Sequence, residues 1–416
     1  MFRNYLASAL RNLARNKLYA GVTIVGLAIG FAAAMLIGLY VRDELTFDRF
    51  VPDRERIYLM TTTIAVAGSK PIETKLSQIK LAERMPQDFP EVELAGRLAN
   101  AYFPPTVRRG DVVASEQGLY YADANFFRIL RLPVVAGDLE HALDTPDSLV
   151  LSRAMARKYF GRDDPVGEIL TVNREPFRVT AVLKDLPSNT HVTAEIFASA
   201  KSPHSPISQY GEINGPLDTT LYTYVRLKPG VAVDGLAARM PAFLDARFPM
   251  NAASASRATR ATHFLPLTRI HLTPSTLDIF NAKASADPGV LAAIAAVGLL
   301  IVVVAAINFV TLMTARAARR AVEVGVRKAA GASRKDLIAQ FMGEAVLYVA
   351  AAALLALALA ELLMPAFNAF TQKRMTFDYL TNPALGLSVL AALVVIAGLA
   401  GTYPALVLSG FRPSAV

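Results

Sequence analysis

The residues whose types could do chemistry are five histidines, one glycine-containing turn and one dense run of basic residues. His141, His191, His204, His263 and His271 are scattered, and no two have the spacing that presents metal ligands on one helix face. Each reads as a surface or core histidine. The turn Gly161-Arg162-Asp163-Asp164-Pro165-Val166-Gly167 resembles a phosphate-cradling loop in outline, but Glu168 follows where a lysine is needed against the phosphates. The chain contains no G-x-S-x-G elbow and no H-E-x-x-H pair. No catalytic residue, metal ligand or cofactor is therefore assigned, and the chain is not expected to be an enzyme; a triad assembled only in three dimensions stays open.

The third feature is a binding element. Arg316–Asp336 carries seven Lys/Arg against two acids, Glu323 and Asp336. Val322, Val326, Ala329 and Ala330 form the apolar stripe of a short helix. Gly331 ends it, and Ser333-Arg334-Lys335-Asp336 reads as a capping box opening the next helix. The loop is thus expected to be a compact helix–turn–helix between two apolar segments.

Such basicity can serve phosphates or the cytoplasmic side of a membrane, and its distribution decides between them. Residues 43–287 hold 28 Lys/Arg and 29 Asp/Glu, a net −1, so the +9 of the whole chain resides beside the apolar segments. Nucleic acid is excluded as a partner, because phosphate binding needs a basic face on the soluble part. With 53% hydrophobic residues and a mean hydropathy of +0.36, the chain reads as a membrane protein with a large outer domain. It contains no cysteine, which excludes disulfides and thiolate sites.

The elements that must position the loop follow in order. Residues 1–17 are amphipathic and read as a helix lying in the cytoplasmic membrane interface, or as a positive flank orienting the next helix. Residues 18–41 are uncharged and long enough to cross the roughly 30 Å hydrocarbon core. Gly21, Gly26, Gly30, Ala34 and Gly38 on this helix suit close helix packing. Residues 42–287 form the outer domain. Ile57–Val66, a helix near Ile79–Gln87 and Val92–Leu98 read as one βαβ-like stretch; Leu221–Leu227, a helix near Val233–Phe248 and Thr262–Leu272 read as another. Between them, strand Leu149–Leu151, helix Arg153–Phe160 and a hairpin of Ile169–Val172 with Phe177–Leu183 have a different texture, that of an insertion into a split α+β domain. Ser202–Pro216 reads as a flexible link.

Residues 288–315 are the second crossing, with Asn308 as its polar residue, and 316–336 the cytoplasmic loop. Residues 337–365 are the third crossing, with Glu344 and Glu361 towards its ends; 366–384 is a short outer loop, 385–409 the fourth crossing and 410–416 a cytoplasmic tail. The fold class expected is a four-helix membrane protein with an α+β periplasmic domain, a split βαβ subdomain carrying an inserted α/β subdomain, between helices 1 and 2. The bias of Lys/Arg places both termini in the cytoplasm and the large domain outside. The scarcity of ionisable residues in the crossings argues against a proton- or ion-coupled carrier.

The stretches NYLASALRNLARNKLYAGVTIVGLAIG, LTFDRFVPDRERIY, SLVLSRAMARKYFGRDDPVGEILTV, ARRAVEVGVRKAAGASRKDLIAQFMGEAVL and TYPALVLSGFRPSAV together resemble the MacB/FtsX-like family of ABC transporter permeases. The resemblance implies an inner-membrane permease working with an ABC ATPase subunit, where ATP binds, and with a second permease unit. It implies that Val322, Glu323, Gly325, Val326, Arg327, Lys328 and Gly331 belong to the coupling helix seated in the ATPase cleft. It implies mechanotransmission: ATPase closure carried through the first two helices to the outer domain, moving an amphipathic peptide, lipid or drug from the periplasmic side. The alternative within the family is a non-transporting regulator relaying ATPase motion to a periplasmic partner; a membrane sensor is a third reading, weaker for want of a cytoplasmic signalling domain. The unit is often duplicated in such chains, and FRPSAV is similar to the end of a first unit, so Val416 reads as a true C-terminus, a split gene or a truncation.

Overall fold

The computed structural model describes residues 17–101, 103–211, 215–277, 283–318, 326, 331, 333–377, 387, 391, 394, 395 and 398. The expected interfacial helix before residue 17, most of the basic loop, the outer loop beyond 377 and nearly all of the fourth crossing lie outside them. The chain divides into an α/β unit, Glu44–Pro288, and a helical unit formed by the residues on either side.

Helix α1 spans Lys17–Leu45 and continues through Arg42-Asp43-Glu44 beyond the uncharged run. Strand β1 follows at Ile57–Val66, where a β-branched run with one buried edge favours an extended chain. Then come β2 (Ile72–Thr74), β3 (Ser77–Gln78), α2 (Leu81–Asp88) and β4 (Val92–Asn100). The middle of the unit holds β5 (Thr106–Arg109), β6 (Val112–Ser115), β7 (Leu119–Ala122), α3 (Ala124–Leu130), β8 (Val134–Gly137), β9 (Ser148–Ser152), α4 (Arg153–Phe160), β10 (Ile169–Val172), β11 (Glu175–Leu183) and β12 (Ile196–Ser199). The short α5 (Pro206–Gln209), β13 (Thr219–Leu227), α6 (Val233–Arg247), α7 (Ala252–Ala255) and β14 (Ala258–Pro266) close it.

The strands join one sheet in the order β14-β1-β13-β4-β7-β12-β9-β11-β10-β5-β6. β1 and β4 are both antiparallel to the intervening β13, so they run parallel to each other and α2 is a crossover. β13, α6 and β14 repeat this around β1. Helices α2 and α6 pack on these strands through Met60, Leu81, Met85, Phe89, Val225, Met240 and Phe248. At the other end α4 packs on β9 and β11, with Leu149, Met155, Tyr159, Phe177 and Val179 buried together. Between them Phe126, Phe127, Phe197 and Tyr224 form an aromatic cluster with centroids 5.0 to 5.6 Å apart.

Two expectations are corrected here. The hairpin between β10 and β11 turns on two residues, Asn173 and Arg174, both left-handed at φ +50° and +74°, and Glu175 and Pro176 belong to the second strand. The stretch Ser202–Pro216, expected to be a flexible link, is anchored in its described part. Ser202 and Ser205 are buried, the Ser205 hydroxyl accepts from the Ile207 amide, and Ile207 packs on Ile79, Ala99, Ala200 and Leu221. Its serines cap a short helix instead of loosening a linker.

In the helical unit, α8 spans Pro288–Ala318 and α9 spans Arg334–Thr371. Helices α1, α8 and α9 contain the three spans apolar enough to cross a membrane among the described residues. Helix α9 passes through Pro365 and is capped at Gln372 in a left-handed conformation. Small residues set the packing. A Cβ on Gly30 would lie 2.8 Å from Ala305 Cβ, and one on Gly298 would lie 2.8 Å from Ile37 Cγ2. Gly21 and Gly38 have nothing within 4 Å. Ala345, Ala352, Ala356 and Ala360 bury one face of α9 with Tyr348, beside Phe31 and Phe309. Glu344 is buried and Glu361 exposed, while Asn308 Nδ2 lies 3.7 Å from the Cβ position of Gly26. Lys373 Nζ reaches Asp43 Oδ2 at 2.5 Å, with both side chains about nine-tenths buried.

Candidate functional site

Of the expected coupling-helix residues, Val326 is helical and exposed, and Gly331 occupies a turn at φ +95°. Val322, Glu323, Gly325, Arg327 and Lys328 lie outside the described residues. The left-handed conformation of Gly331 is the one a helix terminator needs and glycine adopts without strain. Beyond it the capping box is present. Ser333 Oγ accepts from the Asp336 amide at 3.3 Å, and Asp336 Oδ2 accepts from the Ser333 amide at 3.1 Å.

A second site was not assembled from the sequence: a buried polar joint where both ends of the α/β unit are fastened. After α1 the chain turns sharply at Asp48, φ +57°, a conformation Asp tolerates better than most residues. The Asp48 amide donates to Asn189 O at 2.9 Å, and Asn189 Nδ2 donates to Thr46 Oγ1 at 3.1 Å. Asp48 Oδ1 accepts from Thr190 Oγ1 at 2.7 Å and from the His191 amide at 3.1 Å. Asp48 Oδ2 lies 2.8 Å from His191 Nδ1, and His191 Nε2 lies 2.8 Å from the Tyr224 hydroxyl on β13.

Asp48 is fully buried. Burial alone raises its pKa, but the charge and side-chain hydrogen bond of His191, with the hydrogen bonds from Thr190 and the His191 amide, outweigh it and hold the carboxyl below its ordinary value. Burial pushes the Tyr224 phenol well above its usual range, and the charges around it, Asp48 among them, push the same way.

The second half of the joint meets the returning chain. Glu44, in the last turn of α1, pairs with His271 Nε2, and both are buried. The His271 ring stacks on Phe47 with centroids 3.4 Å apart and planes 4° from parallel. Lys283 Nζ lies 5.1 Å from the Phe47 ring and donates to Ser188 O. The Ala286 amide donates to His271 O at 2.8 Å, and Lys75 Nζ donates to Ser285 Oγ. A cavity of about 30 Å³, roomy enough for water, is lined by Lys75, Tyr120, His191, Tyr224, His271 and Lys283 among others. The outgoing segment 44–48 and the returning segment 283–286 are thus tied to residues 188–191 and 271. Removing one partner of such a buried pair costs about 3–5 kcal/mol, because the other group is left buried without its counterpart. The arrangement fastens both segments to the α/β unit.

The α/β unit lies in the chain between long apolar helices, α1 before it and α8 after it. Residues 20–243 match the family model of the MacB-like periplasmic core domain, and residues 295–413 match that of the FtsX-like permease C-terminal. The chain belongs to the MacB/FtsX-like family of ABC transporter permeases, a family of inner-membrane permeases with a periplasmic domain. The macrolide export ATP-binding/permease protein MacB of Bradyrhizobium diazoefficiens is 24% identical over 403 residues, 93% of this chain and 57% of the relative. MacB of Bdellovibrio bacteriovorus is 28% identical over 222 residues, 50% of this chain and 30% of the relative. The chain therefore spans between 30% and 57% of the length of these two relatives, and the match lies in their permease part. The crystal structure of a permease-protein domain from Porphyromonas gingivalis is 21% identical and covers 57% of this chain and 95% of that chain, at a TM-score of 0.45. The family assignment rests on the sequence matches.

Proposed function

We propose that this chain is the permease subunit of an ABC transporter, coupling ATP hydrolysis by a separate ATPase to export or extraction of an amphipathic substrate from the periplasmic side. It crosses the membrane four times, with Leu385–Ser409 as the fourth helix, both termini cytoplasmic and a second permease unit alongside. The outer domain is a split βαβ subdomain carrying an inserted α/β subdomain. The helix around Glu323–Gly331 docks in the ATPase. MacB relatives are named for macrolide export; for this chain the substrate class stays at a peptide, lipid or drug.

The observation that carries the mechanical part is the joint. The segments continuous with α1 and α8 are both fastened to the core domain through buried charged and aromatic contacts. Movement delivered along either helix is thereby passed to a packed sheet instead of being absorbed by a slack linker.

The test is co-purification of the detergent-solubilised chain with ATPases encoded beside it, comparing wild type with a variant whose residues 322–332 are replaced by Gly/Ser. The expected result is an ATPase bound to wild type and lost from the variant. Equal binding by both moves the docking site elsewhere, and no ATPase on wild type removes the proposal.

A further inference from the structure

We infer that the α/β unit carries a binding site for a neutral sugar ring, in an open pocket where β7, the β10–β11 turn and α5 meet. The inference stands on this pocket alone and does not depend on the permease reading.

The pocket has a volume of about 400 Å³, within the range of small-ligand sites, and is lined by Phe103, Tyr121, Asn173, His204, Gln209 and Tyr210 among others. Among the described residues, no Lys, Arg, Asp or Glu lines it. Its walls are fixed by the fold. Tyr121 sits in the sheet opposite Ala99 of β4 and Ala198 of β12. The Asn173 amide donates to Thr106 O at 2.8 Å, which clamps the turn onto β5. Ser208 Oγ donates to Ala200 O at 2.6 Å, and Ile207 is buried beneath α5. A ligand therefore meets surfaces already in place.

The unfilled hydrogen-bonding capacity of the lining says what fits. Tyr121 is 3% exposed, and its hydroxyl has no protein partner among the described residues. Burial pushes that phenol up to about 12, so it stays a neutral group that both donates and accepts. Asn173 Oδ1 is taken by the Thr106 amide at 2.9 Å, which leaves Nδ2 to donate. Gln209 Nε2 is taken by Pro203 O at 3.3 Å, which leaves Oε1 to accept. Beside these groups stand aromatic rings, and that of Phe103 is 84% exposed.

Sugar hydroxyls each donate and accept, and the C–H face of a pyranose is apolar, so one molecule answers the donor, the acceptor, the phenol and the rings together. A carboxylate or phosphate calls for Lys or Arg in the lining, and a metal ion for carboxylates. A wholly apolar ligand would strip water from Tyr121 and Gln209 without replacing its hydrogen bonds.

The test is saturation-transfer NMR on the full chain in phosphatidylcholine nanodiscs, with maltose, cellobiose and N,N′-diacetylchitobiose as probes and N-acetyl-phenylalaninamide as the neutral aromatic comparison. Transfer to at least one disaccharide is expected. Tyr121→Phe, which removes a hydroxyl without a protein partner and should leave Tm no lower, is expected to weaken its affinity about tenfold. Phe103→Ala, at an exposed position, is expected to weaken it about threefold to tenfold. Doping the nanodiscs with a neutral glucosyl diacylglycerol separates the two sources of such a ring: displacement of the disaccharide assigns a glycolipid headgroup, and no displacement a free glycan. Absence of transfer to all three disaccharides, transfer undiminished in either variant, or binding of the aromatic amide in their place overturns the site.

Discussion

Phe47 offers the sharpest test of the joint. It is 1% exposed, its ring is stacked on His271 at 3.4 Å, and the Lys283 ammonium lies 5.1 Å from the same ring. Truncating a fully buried Phe to Ala costs about 3–5 kcal/mol, a range that already includes the cavity left behind. The stack and the nearby cation are worth about 0.5–1.5 kcal/mol and about 0.5–1 kcal/mol, and they place Phe47→Ala in the upper half of that range. Phe50, in the same turn but 37% exposed, is the internal control, and Phe50→Ala should cost less than about 1 kcal/mol. The assay is thermal and urea unfolding of the full chain in detergent, followed by tyrosine fluorescence, since the protein has 14 Tyr and no Trp. For a unit of this size a loss of about 4 kcal/mol lowers Tm by on the order of 10 °C. A loss under about 1 kcal/mol for Phe47→Ala, or equal losses for the two variants, would refute the idea that this ring cements the joint.

Three further outcomes are expected. Arg174→Gly should stabilise the α/β unit by about 0.5–1 kcal/mol in urea titration, because Arg174 sits at φ +74° in a two-residue turn that favours glycine. Ser333→Ala should remove about 1 kcal/mol from the start of α9, seen as faster exchange of the amides following residue 333. The stability advantage of wild type over Asp48→Asn should shrink on acidification. The Asp48 carboxyl is depressed in the folded state, so its contribution is present above the ordinary carboxylate value of about 3.9 and is lost as pH falls through the folded one; an advantage that grows between about pH 5 and about pH 3 contradicts this sign.

Much of the frame was legible because local signals agreed with the fold. β1 occupies Ile57–Val66 as its β-branched run predicts, α4 occupies Arg153–Phe160, and the capping box at Ser333 is where the spacing Ser-x-x-Asp places it. The region between β4 and β9 was not legible. Its strands are four residues long, and one of them, Leu119–Ala122, is buried on both sides and carries no alternation to read. Ser202–Pro216 misled because serine and proline favour both loops and helix caps, and only the burial of Ile207 decides between them. The joint was hidden for a different reason. His191 and His271 read as isolated because their partners, Asp48 and Glu44, lie 143 and 227 residues away in sequence, a distance only tertiary folding closes.

The convergence of both chain ends on His271 has a consequence for how the molecule can be altered. Glu44 meets its side chain and Ala286 its carbonyl, so the core domain begins and ends at one residue, like a loop of cord tied off at a single knot. A domain closed in this way is modular. Surface loops away from Lys75, residues 188–191 and Tyr224 can be lengthened or reshaped while the two ends stay fastened, and a short linker from 286 back to 44 would turn the domain into a closed ring suited to circular permutation.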